Sequence, residues 1–504
     1  MLYKNLTINI LNIILKITIH RGENMLETEV AIIGSGIVGS FIFNTLTLNG
    51  VNCTLIEKGE DVAIGATKAN SGIIHAGYDC TENTLKAKFN VEGNKMYEEI
   101  ANRLGEKIVN CGSLVVGDEN SLEKLTTLLN RGLKNGVKNL EILNKQQVHQ
   151  LEPNLSDNIH FGLYAKDAKI ISPYHFCISL VEEALINGGV LKLNYNTTKI
   201  EYISNHFVLS NGEEQIKANY LINACAEGVN TINNLLNEPL IDIRFTKGEY
   251  MLLDNSEGGL VSRPIFPLPT EKGKGILVCP TVHKNIFLGP TAVDIKEYET
   301  SVNYESLSII KAQVVENVDN INFKKVIKLY AGVRVKTNDD FYIEFSKNKP
   351  NYLVISGICS PGLSAAPAIA KYILTCLVNK GLKTKSITLQ KRKPYTNILS
   401  LTNEELNNLV KKDSNYGEVV CRCEVITKGE ILEVLNGPIK NLTTDGIKRR
   451  LRTTMGRCQG SFCYPKLLKI VSNFYNKHEK EINFKGKSSL IVNDIKEGGL
   501  YENK

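Results

Sequence analysis

Two groups of residues in this chain have the types and spacing to do chemistry. The first is a set of four cysteines: Cys421 and Cys423, then 34 residues, then Cys458 and Cys463. Four thiols carried on two short loops can converge on a metal centre. Structural zinc usually leaves a two-to-four-residue gap within each pair, so the single-residue gap here is unusual for zinc, which stays as the alternative metal. The second group is Gly34-x-Gly36-x-x-Gly39, followed after 18 positions by Glu57. Gly34 permits a tight turn, Gly36 lets backbone approach a pyrophosphate, and Gly39 allows close helix–strand packing. Glu57 falls where a carboxylate would bind a ribose.

These residues need particular elements to position them. Residues 28–33 (TEVAII) are a short β-rich apolar run before the glycines, residues 38–48 read as a helix, and residues 51–57 (VNCTLIE) as a second strand. That strand–loop–helix–strand unit would aim a helix N-terminus, with its free N–H groups and positive dipole end, at phosphate. Helical periodicity recurs at 92–104, 121–135, 173–187, 306–318 and 363–379. Residues 220–224 and 351–356 read as buried strands, 191–203 and 206–210 as a strand pair, and 241–294 as short strands of an antiparallel sheet. No second glycine loop of this kind follows. One such fold, with a glycine-containing loop and a long helix near residue 360, fits a single extended dinucleotide such as FAD.

The 504 residues imply two to four domains, and 42% hydrophobic with 22% charged residues is ordinary globular composition. A formal charge of +7, spread along the chain, carries no nucleic-acid signature; any focused positive potential would serve a small anion or a redox partner. Eight further cysteines without pairing rhythm read as reduced thiols of a cytoplasmic protein. Residues 1–24 contain an apolar run too short to span a bilayer, and Met25 is the expected true start, with a short membrane-surface anchor as the alternative. The expected organisation is an extension over 1–24, an oxidoreductase unit over 25–380, a polar linker over 381–415, a cysteine module over 416–473 and a Lys-rich tail over 474–504.

Residues 65–77 (GATKANSGIIHAG) resemble the flavin-binding segment of the D-amino-acid-oxidase superfamily. More closely, the chain is similar to L-2-hydroxyglutarate oxidases and to the catalytic subunit of anaerobic glycerol-3-phosphate dehydrogenases. The motifs KGEY at 247–250, GPTA at 289–292, AGVR at 331–334 and SPG at 360–362 follow in order. The resemblance implies an α/β (α+β overall) architecture, with a Rossmann-like FAD-binding domain interleaved with an antiparallel-sheet substrate domain. It places Thr67, Asn70 and Ser71 beside the flavin. It puts His75 near the isoalloxazine, either taking a hydroxyl proton or packing against the ring. Arg334 would grip a carboxylate or phosphate with two prongs, and Lys247 would be a second anion contact. Gly357, Gly362, Leu363 and Ser364 would set a helix N-terminus at the flavin's pyrimidine edge. The family usually has glycine where Ala226 stands.

The cysteine pattern, with DGIKRRLR at 445–452 and MGRCQG at 455–460, resembles the bacterioferritin-associated-ferredoxin type of 2Fe–2S domain. Lys448, Arg449, Arg450 and Arg452 would offset the cluster's negative charge, dock a partner, or form a solvated helix face. The resulting expectation is oxidation of a small anionic secondary alcohol by hydride transfer to FAD. Electrons would leave through the cluster to an acceptor protein, a quinone-linked subunit or a carrier. Glycerol 3-phosphate is the favoured substrate, ahead of an L-2-hydroxyacid. A peroxide-forming oxidase and a non-catalytic electron-transfer subunit are the rival readings.

Overall fold

Continuous apolar runs suit strands buried on both faces, and the first such run builds the middle of a sheet. The computed structural model describes residues 25–269, 275–486 and 489–492. The extension expected over 1–24 and the end of the tail lie outside these residues. Strand Met25–Ile33 runs parallel to Cys53–Ile56 on one side and to Gln215–Asn223 on the other. The edge of Gln215–Asn223 is shared: its first half pairs with the hairpin Lys199–Ile203/His206–Ser210, and its second half runs parallel to Tyr352–Ser356. The hairpin turns at Ser204 and Asn205, both with positive φ, as a tight two-residue turn requires. Helices Ile37–Leu48, Leu85–Leu104, Pro173–Ile186 and Gly362–Asn379 pack together beside this sheet. Gly362–Asn379 has the length and apolarity of a membrane span, yet it packs against Ile37–Leu48 and Leu85–Leu104.

The second sheet has nine strands and is wider than the run over 241–294 suggests. It recruits Ser113–Gly117, Leu140–Asn144 and Phe161–Ala165 from earlier in the chain, and the single join between the two sets, Ile265–Pro267 on Ser113–Gly117, is parallel. The chain therefore passes back and forth between the two sheets, which gives the interleaving expected from the resemblance. The longest pairing joins Arg244–Leu253 to Val326–Lys336, with Thr246 opposite Arg334.

Two expectations about the C-terminal third need correction. The segment 381–415 is more than a connector: it contains the helix Asn403–Lys412, and Arg392 is buried with its Nε donating to Glu182 at 2.8 Å and its Nη1 to the Leu104 carbonyl at 3.1 Å. The basic run 448–452 is not a solvated face. Arg449 and Arg450 are buried and both donate to Asp61 at 2.7 Å, while Arg452 donates to Glu424 at 2.8 Å and Asn285 at 2.9 Å. The cause is geometric. Helix Thr444–Leu451 docks against the loop after strand Cys53–Ile56, and a fully buried carboxylate there must be matched by cations. Burial alone would raise the Asp61 carboxyl; the Arg450 and Arg449 guanidiniums hold it down at about 2. Ile431, Val434 and Leu467 of the module share one apolar core with Phe41 and Phe176, so the module is fused to the body.

Candidate active site and cysteine centre

Between the two sheets lies a cavity of about 2050 Å³. This exceeds what a small substrate needs and leaves room for an extended dinucleotide beside one. Gly34, Gly36, Gly39 and Glu57 line one end. Gly34 has φ +105°, and a Cβ there would come within 2.5 Å of the Ala224 carbonyl; a Cβ on Gly39 would strike the Gly34 carbonyl. Glu57 is tied to the glycine loop, accepting from Ser35 N–H at 3.1 Å, Ser35 Oγ at 2.7 Å and Gly59 N–H at 2.9 Å. Thr67 accepts from Ile37 N–H at 2.9 Å, taking up one free donor of the helix that starts there.

Asn70 and Ser71 also line the cavity. The Asn70 amide shapes its own loop: it donates to Ala66 O and Thr67 O and accepts from Gly72 N–H at 2.8 Å. At the other end, Gly357, Gly362 and Leu363 reach the cavity from the turn into helix Gly362–Asn379. Gly357 has φ +67°, and a Cβ there would strike the Thr337 hydroxyl. Ser364 is not among the lining residues. It is fully buried, and its Oγ accepts from His75 N–H at 2.7 Å, so it fixes the His75 loop instead of contacting the cavity. Ala226 lines the wall with φ +49°, in the left-handed region where the family's glycine is free of strain.

His75 and Arg334 face the same cavity. The His75 ring lies 5.8 Å from the Phe266 ring, and its carbonyl accepts from Asn94 at 3.0 Å. Arg334 forms no ion pair among the described residues. The absence of a side chain at Gly248 leaves it room: a Cβ there would lie 3.2 Å from an Arg334 guanidinium nitrogen.

Lys247 does not join them. Alternate residues of a strand point to opposite faces, and Arg334 shares its face with Thr246, so the neighbouring Lys247 is turned the other way. Its Nζ is buried, 3.1 Å from Glu249 and 2.5 Å from Glu299, and it also donates to Ser301 O at 3.0 Å. It is an internal ion pair rather than a substrate contact. The signal was in the motif: Glu249, two positions on, falls on the same strand face as Lys247. Sequence reasoning also missed Asp61, which carries no motif because its partners lie almost 400 positions away.

The four cysteines are brought together in two pairs. Cys423 Sγ lies 3.6 Å from Cys458 Sγ, close to the ~3.8 Å that two thiolates on one tetrahedral metal at about 2.3 Å would have. Cys463 hydrogen-bonds Cys421, pulling the Cys421 thiol down to about 6, with the N–H groups of Glu424, Thr454 and Cys423 adding to the effect. Against burial, the N–H groups of Gly460 and Phe462 lower Cys458. Among the described residues no three His, Cys, Asp or Glu side chains are grouped closely enough to hold one metal ion. Two thiol pairs, each with one member from each loop and with N–H groups aimed at the sulfurs, fit two metals better than one zinc.

Fold and site thus define an oxidoreductase built around an extended dinucleotide, with an attached cysteine centre. The chain belongs to the FAD dependent oxidoreductase family, whose pattern matches residues 29–375; residues 419–473 match the BFD-like [2Fe-2S] binding domain. FAD and a 2Fe–2S cluster are its cofactors, and both fit the residues described above. The chain is 38% identical to a glycerol 3-phosphate dehydrogenase of Caloramator mitchellensis, over 92% of this chain and 98% of that one. It is 31% identical to a glycerol 3-phosphate oxidase of Mycoplasma genitalium, over 72% and 97%. The FAD-bound, dithionite-reduced L-alpha-glycerophosphate oxidase of Mycoplasma pneumoniae superposes with a TM-score of 0.69 at 26% identity, covering 73% of this chain and 98% of that one. L-2-hydroxyglutarate dehydrogenases are more distant; that of Mus musculus is 28% identical over 52% of this chain.

Proposed function

We propose that this protein oxidises glycerol 3-phosphate to dihydroxyacetone phosphate and releases the electrons through its 2Fe–2S module to an acceptor protein or a quinone-linked subunit. The observation that carries the reading is Arg334, which faces the cavity shared with His75 and forms no ion pair within the described chain. Bound FAD supplies hydride acceptance, and the cluster supplies one-electron exit.

The chain's own residues do the rest. Gly34, Gly36 and Gly39 admit the pyrophosphate, and Glu57, held by Ser35 and Gly59, binds a ribose. Thr67, Asn70 and Ser71, on one cavity-lining loop, would hold the flavin. Gly357, Gly362 and Leu363 bring the N–H end of helix Gly362–Asn379 to the cavity, where its positive dipole would favour negative charge on the flavin. Arg334 grips the phosphate by two charged hydrogen bonds and so fixes the alcohol carbon. The His75 ring takes the hydroxyl proton as the carbonyl forms. Cys421, Cys423, Cys458 and Cys463 hold the cluster.

Anaerobic mixing of the flavin- and iron-replete protein with glycerol 3-phosphate and, separately, L-2-hydroxyglutarate tests this. Rapid flavin bleaching by the phosphate and slow or no bleaching by the hydroxyacid is expected. The reverse order would transfer the protein to the 2-hydroxyacid class, and peroxide formed in air would make it an oxidase.

A further inference from the structure

Two cofactor sites in one chain raise the question of what lies between them. Tyr174, the second residue of helix Pro173–Ile186, stands at that boundary. On the flavin side, Gly72 lines the cavity and its carbonyl accepts from Ile171 N–H at 2.9 Å. A Cβ on Gly72 would lie 3.5 Å from Cδ of Pro173, the residue before Tyr174. On the cluster side, the Tyr174 hydroxyl meets Met455 Sδ at 3.9 Å. The next residue, Gly456, packs so closely on Cys423 that a Cβ would lie 3.3 Å from its Sγ. Arg452, anchored on Glu424 at 2.8 Å, lies near enough to Tyr174 for the phenol to help hold its charge. A second aromatic approach comes from the substrate sheet: cavity-lining Tyr250 stacks on Tyr330 at 4.7 Å and 7°. Burial raises the Tyr330 hydroxyl, and Tyr250, Cys279 and Tyr174 around it raise it further.

We infer that Tyr174 is the packed bridge across which electrons pass from the flavin cavity to the cysteine centre, entering the cluster on the Cys423–Cys458 side. The inference rests on the proposed flavin chemistry and adds the route. Each crossing moves one electron: the reduced flavin loses it and releases a proton to solvent, and a diferric cluster gains it and becomes ferric–ferrous. The tyrosine is neither oxidised nor reduced. Its ring fills the space through which the donor and acceptor orbitals must overlap, and a gap there has no atoms to carry that overlap.

The test follows flavin and cluster absorbance together in the full-length holoprotein under anaerobic stopped flow, with Tyr174→Leu, Tyr174→Phe and wild type. The flavin is reduced in one arm by glycerol 3-phosphate and in the other by light with a sacrificial amine. The expected result is unchanged flavin reduction in all three proteins, cluster reduction slowed about tenfold or more in Tyr174→Leu, where the ring and its contact to Met455 are lost, and less in Tyr174→Phe, which keeps the ring. Dithionite, which reaches the cluster from solvent, should reduce it equally fast in all three, and iron content should be unchanged. Cluster reduction at the wild-type rate in Tyr174→Leu, or an equal slowing with dithionite, would overturn the bridge. Failure of glycerol 3-phosphate to bleach wild-type flavin would sink the substrate reading instead, and the light-driven arm would still decide the bridge.

Discussion

Arg334 and the Arg449–Arg450 pair are the same residue type in opposite circumstances. Arg334 faces a large cavity and forms no ion pair among the described residues. Arg449 and Arg450 are buried and closed around Asp61, with Arg449 also reaching Asp445. A guanidinium already matched by internal carboxylates is architecture; one that is buried in part and left open has its counter-ion still to come. Lys247, paired with Glu249 and Glu299, belongs with the first kind. The contrast separates cations that hold the molecule together from a cation open to a ligand.

The comparison can be broken most severely at Arg334. Arg334→Met should lower kcat/KM for glycerol 3-phosphate by about 10²–10³-fold while flavin content stays normal, as steady-state kinetics with an artificial acceptor would report. Arg334→Lys should recover only part, because an ammonium cannot reproduce the two-pronged grip.

At the junction the expected loss is of structure. Asp61→Ala leaves two buried guanidiniums without their shared partner and should cost about 3–5 kcal/mol, seen as a lower Tm and faster proteolysis of the cysteine module. The pH dependence has a definite sign. The folded-state pKa is depressed from 3.8 to about 2, so the clamp's contribution is complete above pH 4 and is lost as pH falls towards 2.

Lys247→Met should lower Tm by leaving Glu249 buried without its cation, yet move KM less than about twofold. A large rise in KM would return Lys247 to the substrate site. Salt should act more weakly than the loss of Arg334. Raising NaCl from about 0.05 to 0.5 M should raise KM for the anion roughly two- to fivefold, while the buried Asp61 clamp stays unaffected.

Much of this was legible beforehand because it is local. A strand, a glycine loop and an acidic residue occupy one stretch of sequence, and the left-handed Gly34 and the approach at Gly39 are properties of that stretch. Helix positions followed from periodicity, with most ends shifted by a few residues or fewer; the helix read over 92–104 starts about two turns earlier, at Leu85, where Thr84 caps it by accepting from Ala87 N–H. Contacts made across the chain were not legible. The residue type of Arg449 is the same whether it faces solvent, a cluster or Asp61, and only the docking of helix Thr444–Leu451 decides. Ser364 was assigned to the flavin edge by its motif, yet its hydroxyl is occupied by His75 N–H. Lys247 lies between: strand alternation puts it on one face with Glu249, while the motif resemblance points to the substrate.

The most direct test of the central claim pairs the charge on the protein with the charge on the substrate. Rates of anaerobic flavin bleaching by glycerol 3-phosphate and by uncharged glycerol are measured in wild type and in Arg334→Met. The account predicts a wild-type preference for the phosphate of about 10²-fold or more that collapses towards unity in the variant. A preference that survives the loss of Arg334 would contradict it.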